Sequence, residues 1–364
     1  MSTWLRKCPL VIDHTKVTAA QTDFPVLIAY NSTADNAVNL PSEMLDSGSA
    51  NKANSDGSDV RFTSDSSGVV PLNYEIVTFV QNATDGNRKA EIWVRVHSLS
   101  STADTTIYVW YGNATATAPA AGDSNYGSQG VWDSGFLGVY HLASGTTLSV
   151  NDSTANVKHG TSHSAVAAAG KFGYGLDNPH TNSGFVSLPT ISVSTSFTLS
   201  VWFNYTTHYA EYPALLFVNT SATPTGLFAD SAYGIAVVKS NAISDYIPWA
   251  SLSTSTWHLI EATWNGTSLI YYLDGSPISA TAHSDSNFPD SPYYGAIGHG
   301  SGNYFAGLLD EARVSNSVRS ATWISTEYAN QSAPASFLAV GTPGTGGTMG
   351  TGGVASSNGF FFVV

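Results

Sequence analysis

The sequence predicts an all-β protein made of two antiparallel β-sandwich domains. Short runs rich in β-branched and aromatic residues recur along the chain, and clusters of Gly, Asn, Asp and Ser separate them. No helical hydrophobic period lies between these runs, which argues against a parallel βαβ sheet. The length of 364 residues is sufficient for two or three domains.

The strand-like runs fall into two series, which predict the domain boundaries. The first series occupies residues 4–112, and a small, polar connection follows it at residues 113–130. The second series runs from "LGVYHL" to "LLDEARV". We therefore predict domains at residues 1–128 and 129–341. One short C-terminal helix is expected at residues 320–331, because Ser320 can cap it and Ile324 and Tyr328 share one face.

Residues 342–364 differ in composition from both domains. Gly and Thr dominate residues 341–353, which predicts a flexible tether. The chain then reads "GFFFVV", and Phe360, Phe361 and Phe362 would promote aggregation if they were exposed. Two arrangements would bury them: a last strand docked on this same chain, or a hook that inserts into a partner subunit by strand addition.

Composition excludes several classes of protein. Lys and Arg number 13 against 26 Asp and Glu, and no cationic cluster is longer than Arg6-Lys7. Nucleic-acid binding needs clustered cations, so we expect that this protein does not bind nucleic acid. No apolar run approaches the roughly 20 residues of a membrane span. The start of the chain shows no signal peptide, and the single Cys8 permits no intrachain disulfide.

The first 140 residues resemble the DUF2341 family. The motifs that carry the resemblance are "WLRKCPLVID", "TDFPVLI", "DGSDVRFTSD", "PLNYEI", "EIWVRVHSL", "TTIYVWYGNATA" and "VWDSGFLGVYHL". The resemblance implies a β-sandwich, commonly placed just ahead of a lectin-like domain. It also implies surface display and no known chemistry.

Residues 131–341 resemble the laminin-G-like, concanavalin A-like jelly roll (LamG_3). The telling segments are the "YLDG" hairpin and the ending "LLDEARVSN" with its following helix. The resemblance implies two curved antiparallel sheets, often with a calcium site and often with sugar or protein binding. It does not fix a ligand.

The segment "GLLDEARVSN" raises a question about Asp310. As a regular strand it places Asp310 on one face with Leu308, Ala312 and Val314. Glu311 and Arg313 then lie on the other face, where they can pair in water. An unpaired carboxylate on an apolar face costs several kcal/mol, so Asp310 must be hydrogen-bonded, neutralised or metal-bound.

The resemblance implies one answer, a structural calcium ion (Ca2+). In similar domains the aspartate at this point often helps to hold calcium, and a loop like "VNDSTANVKHG" supplies the other ligands. The matching residues are Asp152, Asn156 through its carbonyl, and Asp310. The alternative is that Asp310 accepts backbone N–H bonds from that loop with no ion present. The ten histidines fit no zinc motif, so we expect no zinc site.

A sugar site needs aromatic faces beside polar groups that can reach hydroxyls. Loop segments of the second domain offer such residues, and the alternative is that they are simply core and rim. The candidates are Tyr209, Tyr212, Trp249, Tyr293, Tyr294, His299, Asn303 and Tyr304.

Enzyme activity is not expected. Glycoside hydrolases of this fold need a pair of carboxylates, and their usual E-x-D-x-x-E pattern is absent here. Glu211 and Glu261 each stand alone among uncharged neighbours.

The sequence therefore predicts a non-enzymatic protein, extracellular or on a virion surface, that recognises a glycan or a surface protein. Its composition suggests a phage component such as a tail fibre, an adhesin or a decoration protein. The alternatives are a purely structural assembly protein without a glycan ligand, and a glycoside hydrolase on a jelly-roll scaffold.

Overall fold

The computed structural model describes residues 3–32, 37–144, 146–178, 184–193, 195–207, 213–219, 225–230, 234–238, 246–282, 295–300 and 303–350. Its strands are almost all antiparallel partners of their neighbours, as the sequence predicts. The strands of the first part are β1 (Thr3–Ile12), β2 (Gln21–Asn31), β3 (Ala37–Val38), β4 (Arg61–Thr63), β5 (Pro71–Leu72), β6 (Tyr74–Val80), β7 (Lys89–Leu99) and β8 (Thr105–Tyr111).

The second part follows with its own strands. They are β9 (Phe136–Tyr140), β10 (Thr161–His163), β11 (Val166–Ala169), β12 (Tyr174–Asn178), β13 (Phe185–Leu188), β14 (Phe197–Tyr205), β15 (Ala214–Asn219), β16 (Thr225–Asp230), β17 (Gly234–Val238), β18 (Ile247–Pro248), β19 (His258–Trp264), β20 (Ser268–Leu273), β21 (Ser276–Ala282), β22 (Gly295–Ile297), β23 (His299–Gly300), β24 (Asn303–Tyr304) and β25 (Gly307–Ser315). The remaining elements are β26 (Leu338–Val340), β27 (Gly344–Thr348) and the helices α1 (Ser42–Leu45), α2 (Ala321–Ser332) and α3 (Pro334–Phe337).

Two pairs of sheets form the two sandwiches. In the first sandwich, sheet A has the order β26-β1-β8-β4-β5 and sheet B has the order β3-β2-β7-β6. In the second, sheet C has the order β11-β12-β25-β14-β19-β20-β21, with β9 also paired to β25. Sheet D has the order β10-β13-β22-β15-β16-β17-β18. These two-layer pairs confirm the predicted all-β fold class.

The C-terminal strands complete the first sandwich. β26 pairs with the end of β1 at Leu10–Ile12, and β27 pairs with its beginning, Thr3↔Thr348 to Lys7↔Gly344. The prediction of a flexible tether is therefore wrong for residues 344–348. Gly and Thr give a strand with little side-chain bulk, but the free edge of β1 offers it backbone hydrogen bonds that an isolated tether lacks.

Helix α2 lies between the sandwiches and confirms the predicted C-terminal helix. Ser320 caps it, because its Oγ accepts the backbone N–H of Trp323 at 3.1 Å. The Asn330 amide accepts the N–H of Leu27 at 2.7 Å and donates to its carbonyl at 3.0 Å. The Asn330 side chain thus satisfies backbone groups of β2 that make no hydrogen bond to a neighbouring strand.

The core of the first sandwich continues into the space between the two sandwiches. Phe24, Val26 and Trp93 belong to the same buried cluster as Trp202 of sheet C and Trp323 of α2. The second sandwich has a separate core between sheets C and D. Sheet B therefore faces sheet C, and the two domains share one buried junction.

Candidate functional site

A β-bulge in β25 decides which way its side chains point. Glu311 has a positive φ of 51°, and the register with β14 shifts between Ser200↔Arg313 and Trp202↔Asp310. The extra residue interrupts the alternation of faces. As a result Leu309 and Ala312 both lie in the core of the second sandwich.

The predicted alternation is therefore wrong for Asp310. Trp202, its partner in the register, belongs to the apolar cluster that continues between the two sandwiches, whereas Ala312 and Val314 lie in the core of the second sandwich. The Asp310 carboxylate accepts the N–H of Phe172 at 3.0 Å and the N–H of Glu311 at 2.9 Å. It is 0% exposed, and this burial, together with the nearby charge of Glu311, raises its pKa well above the usual value.

Asp152 and Asn156 lie in a loop that is fastened to β9. Asp152 accepts the N–H groups of Val139 at 3.1 Å, Thr154 at 2.9 Å and Lys158 at 2.8 Å. The Asn156 amide donates to the Phe136 carbonyl at 3.0 Å. Backbone N–H groups thus occupy both oxygens of Asp152, and the donor to Asp310 comes from Phe172 rather than from this loop.

The described residues contain two groups of at least three potential metal ligands, and neither includes Asp152 or Asp310. Calcium binding at Asp152, Asn156 and Asp310 stays a prediction.

A buried charged cluster that the sequence analysis missed fills the junction between the sandwiches. Its centre is His141, which directly follows β9. Nδ1 of His141 lies 2.6 Å from Oε1 of Glu311 and 3.7 Å from Oε1 of Glu91, and its Nε2 lies 3.3 Å from Oε2 of Glu75. Carboxylates from both sandwiches therefore converge on one imidazole, which raises its pKa despite the burial.

Arg313 forms the second cationic centre of this cluster. Its guanidinium donates to Glu311 Oε2 at 2.6 Å and to Glu327 of helix α2. It also lies over the rings of Trp93 at 4.4 Å and Trp132 at 5.0 Å. Glu311 and Arg313 pair as predicted. The prediction that they pair in water is wrong, because both side chains are buried.

The sequence did not predict this cluster, because its charged residues occur in the pattern that is typical of a solvent-exposed strand face. Glu91 and Arg95 alternate with apolar residues along β7, which is the usual pattern of a half-exposed strand. The second sandwich covers this face. The only sequence signal is Trp93 between them, since a large aromatic residue on a solvent face needs a partner.

An aromatic row lies on sheet D and the adjoining β23-β24 hairpin. The ring of Phe185 stacks on His163 at 4.4 Å and on His299 at 4.5 Å. The ring of His299 lies 4.8 Å from Tyr304. Phe185, His299 and Tyr304 are half-buried and His163 is exposed. We call these residues the ring row.

The structure brings together the predicted sugar contacts that it describes. His299 and Tyr304 are cross-strand partners in the hairpin, and Asn303 precedes Tyr304. Trp249 and Tyr304 line one shallow recess with Pro213 and Phe305, and its volume of about 250 Å³ includes the opening to solvent. The other candidates, together with the predicted hook, lie outside the described residues: Tyr209, Tyr212, Tyr293, Tyr294, Phe360, Phe361 and Phe362.

Glu261, the lone carboxylate that the glycoside-hydrolase alternative would need, lies inside the molecule. It is 1% exposed in β19, and burial followed by the charge of Glu327 raises its pKa well above the usual value. A side chain in this position cannot touch a polysaccharide on the surface. Glu211 lies outside the described residues.

The helices of the described part are all too short or too polar to cross a membrane.

Comparison with solved structures gives weak matches that cover about half of this chain. Domain 4 of AbnA, a GH43 extracellular arabinanase from Geobacillus stearothermophilus in complex with arabinotriose, has 17% identity and a TM-score of 0.45, covering 53% of this chain and 98% of that one. The binding domain of Paraclostridial Mosquitocidal Protein 1 has 13% identity and a TM-score of 0.39, covering 53% and 52%. A Trypanosoma rangeli sialidase mutant displaying trans-sialidase activity has 15% identity and a TM-score of 0.42, covering 55% and 33%. This chain thus spans about half of the length of the mosquitocidal binding domain and about a third of the length of the sialidase.

Among curated proteins, none matches the chain significantly. Two family models do match it. Residues 56–127 match the domain of unknown function DUF2341, and residues 180–325 match the concanavalin A-like lectin/glucanases superfamily. Both resemblances stated from the sequence are confirmed, and the chain carries a DUF2341 domain followed by a concanavalin A-like domain of the laminin-G type.

Proposed function

We propose that the protein is a non-enzymatic binding protein whose second sandwich recognises a glycan. The observation that carries this proposal is that Trp249 lines one recess with Tyr304, whose hairpin also carries His299 and Asn303. Trp249 lies about 50 residues before the other three in the sequence, yet it lines the same recess as Tyr304. A recess bounded by two large aromatic rings offers the apolar face that a sugar ring needs.

Polar groups near the rings support the same proposal. Nε2 of His163 lies 2.9 Å from the hydroxyl oxygen of Ser187, which holds the exposed imidazole in place. Asn303 contributes an amide beside Tyr304, and amides and imidazoles are suited to hydrogen bonds with sugar hydroxyls. The combination of stacked rings and fixed polar groups is typical of a saccharide site rather than of a purely apolar protein contact.

The test is binding to an array of glycans, followed by calorimetry with each glycan that binds. We expect Tyr304→Ala and Trp249→Ala each to weaken binding about tenfold or more, as the loss of a stacking ring does at binding sites. Tyr108→Ala is the matched control, because Tyr108 is a half-buried tyrosine of sheet A in the first sandwich. Absence of any glycan ligand, or equal binding by all three variants, contradicts the proposal.

The absence of catalysis is part of this proposal. The burial of Glu261 supports it, since a general acid must reach the glycosidic oxygen. The alternative, a glycoside hydrolase, predicts activity on a panel of polysaccharides that disappears in Glu261→Gln. No activity in the unmodified protein argues for the binding function.

Display on a cell or virion surface is the location that we propose. The concanavalin A-like domain and the composition, with 13 Lys plus Arg in 364 residues, support it. Neighbouring capsid or tail genes would support a virion component, and unrelated neighbours would count against it. The alternative of a structural assembly protein predicts loss of assembly in a chain truncated after Gly341, with no glycan bound in either form.

A structural calcium ion at Asp152, Asn156 and Asp310 is a separate proposal. It rests on the resemblance, and the ion would have to compete with the N–H groups that now reach both aspartates. The test is a melting curve in CaCl2 against one in EGTA. A higher Tm in calcium supports the ion, and identical curves remove it.

A further inference from the structure

Three ligand-type side chains from both sandwiches meet at the junction. Glu91 comes from β7 of sheet B, Glu311 comes from β25 of sheet C, and His141 follows β9. One oxygen of each carboxylate and one imidazole nitrogen all lie within 4.8 Å of one another. All three residues are at least 95% buried. Two carboxylates and one imidazole are a donor set that Zn2+ and related ions use in proteins.

The imidazole is oriented as in known metal sites. Histidine ligands usually donate their second ring N–H to a carboxylate, which fixes the tautomer and the ring direction. Here Nε2 of His141 lies 3.3 Å from Oε2 of Glu75, and Nδ1 faces Glu91 and Glu311. Glu75 is itself held by the indole N–H of Trp132 at 2.9 Å and by the hydroxyl of Ser153 at 2.6 Å.

A second, independent observation is a pair of polar atoms without partners. Oε1 of Glu91 accepts the indole N–H of Trp93 at 3.2 Å, but Oε2 of Glu91 has no hydrogen-bond partner among the described residues. The same is true of Oγ1 of Thr78, which lies opposite Glu91 on the neighbouring strand. Both residues are over 95% buried. Such atoms cost free energy unless a ligand satisfies them.

These two atoms point into one recess. A Cβ added to Gly173 would lie 3.5 Å from Oγ1 of Thr78 and 3.7 Å from Oε2 of Glu91. Thr78, Glu91 and Gly173 line a recess of about 390 Å³, a volume that includes its opening to solvent. The recess therefore reaches Glu91, one of the three ligand residues, and has room for a water ligand beside it.

The charge of the junction also favours a cation. Around His141 and Arg313, carboxyl groups outnumber these two cationic side chains. The carboxyl groups in contact with these two, or beside them, are Glu75, Glu91, Asp310, Glu311 and Glu327. An excess of buried carboxylates must take up protons or bind cations.

We propose that Glu91, His141 and Glu311 form a binding site for a divalent transition-metal ion that links the two sandwiches, with Zn2+ as the probe ion. The separation of 2.6 Å between His141 Nδ1 and Glu311 Oε1 is a hydrogen-bond distance. Zinc bonds of about 2.0–2.2 Å require these two atoms to separate to roughly 3 Å. The ion thus takes the place of the shared proton, and binding releases that proton.

The test is zinc binding by the full chain after treatment with a chelator. The second group of metal-ligand atoms, Asp13, His14 and Asp104, is partly exposed and could bind zinc on its own. His14→Asn is therefore the background for every measurement. In this background we expect about one Zn2+ per chain to survive desalting, as measured by elemental analysis, with a proton released in calorimetry.

Variants of the cluster separate ligands from positioning residues. Glu91→Gln keeps an oxygen acceptor for Trp93, and we expect it to bind Zn2+ about 100-fold more weakly or worse. Glu75→Gln alters a positioning residue, and we expect a loss of about 10-fold to 100-fold. Circular dichroism checks that each variant is folded.

Two results would overturn the proposal. One is a zinc content near zero in the His14→Asn protein. The other is equal affinity of the Glu91→Gln variant in the same background. If Glu91→Gln does not fold, the X-ray absorption spectrum of zinc in the His14→Asn protein decides. An imidazole nitrogen with carboxylate oxygens supports the site, and a shell of oxygens alone excludes it.

Discussion

Nδ1 of His141 lies 2.6 Å from Oε1 of Glu311, in a place where neither side chain is more than 5% exposed. Around this contact the first sandwich contributes Glu75 and Glu91, and helix α2 contributes Glu327. The junction between the domains is therefore a charged interior rather than a wet hinge. Its stability depends on whether each buried carboxyl group is paired with a cation or protonated.

Arg313→Met should lower the free energy of unfolding by about 3–5 kcal/mol, because it leaves Glu311 and Glu327 buried without their partner. Urea denaturation at pH 7 measures this loss. The matched control is Arg95→Met, which breaks a partly exposed pair with Asp23 and should cost about 1 kcal/mol or less. Equal losses in the two variants would show that the buried network adds nothing.

The protein should be more stable at pH 5 than at pH 8 when a chelator is present. The raised pKa of His141 gives stability that is complete below its unfolded value near 6.5 and is lost as the pH rises through the folded value. The carboxyls of Glu91, Asp310 and Glu261 have raised pKa values, so keeping them buried costs more as the pH rises above about 4.

Stability should also fall on the acid side. The pKa of Glu311 is lowered to about 2 by His141 and Arg313, which outweigh the opposing effect of burial. Its contribution is present above its unfolded value of 4.5 and is lost as the pH falls toward 2. Urea midpoints across this range give the profile. Glu91→Gln should reduce the loss at pH 8, and an unchanged alkaline side would refute the role given to Glu91.

Gly275→Ala should destabilise the second sandwich. Asp274 and Gly275 form the two-residue hairpin turn between β20 and β21, and both have positive φ, 50° and 76°. A Cβ on Gly275 would also lie 2.7 Å from Cβ of Tyr328 in helix α2. Gly266→Ala is the control, since its φ is 95° but its nearest contact is 3.4 Å away.

We expect the Gly275 variant to lose at least about 1 kcal/mol more than the Gly266 variant, because crowding adds to backbone strain. Thermal unfolding of both variants measures the difference. A larger loss in Gly266→Ala would mean that the helix does not press on the hairpin.

Removing β27 should open the edge of β1. A chain that ends at Pro343 lacks the pairs from Thr3↔Thr348 to Lys7↔Gly344, whereas a chain that ends at Gly350 keeps them. In the shorter chain the amides of β1 that face this edge should exchange with solvent about tenfold faster or more. Hydrogen exchange measured by mass spectrometry compares the two. Equal exchange would show that β27 is dispensable for sheet A.

Much of the fold could be predicted from the sequence because its signals are local. The strand runs, the "YLDG" turn and the cap at Ser320 each depend on a few adjacent residues. The same locality explains the failure at Asp310. Strict alternation assumes a regular strand, and the bulge at Glu311 reverses the faces beyond it.

The junction cluster was beyond sequence reasoning for a different reason. Glu75 and Glu91 lie in the paired strands β6 and β7, whereas His141 follows β9 and Glu311 lies in β25, and no local pattern links these segments. Only the docking of one sandwich on the other reveals that they meet. The sequence predicts two residues of the ring row, His299 and Tyr304. The strand pairing of sheet D places His163 and Phe185 beside them, which the sequence does not predict.

The pairing of β1 with β26 and β27 has a consequence for biosynthesis. Strand β1 ends at Ile12, and its edge partner begins at Leu338. At about 5–20 residues per second, a ribosome needs roughly 16–65 s to make the chain between them. The laminin-G-type domain can therefore fold while sheet A still waits for its last strands. The first sandwich is translated first, but it is the last of the two domains to be completed.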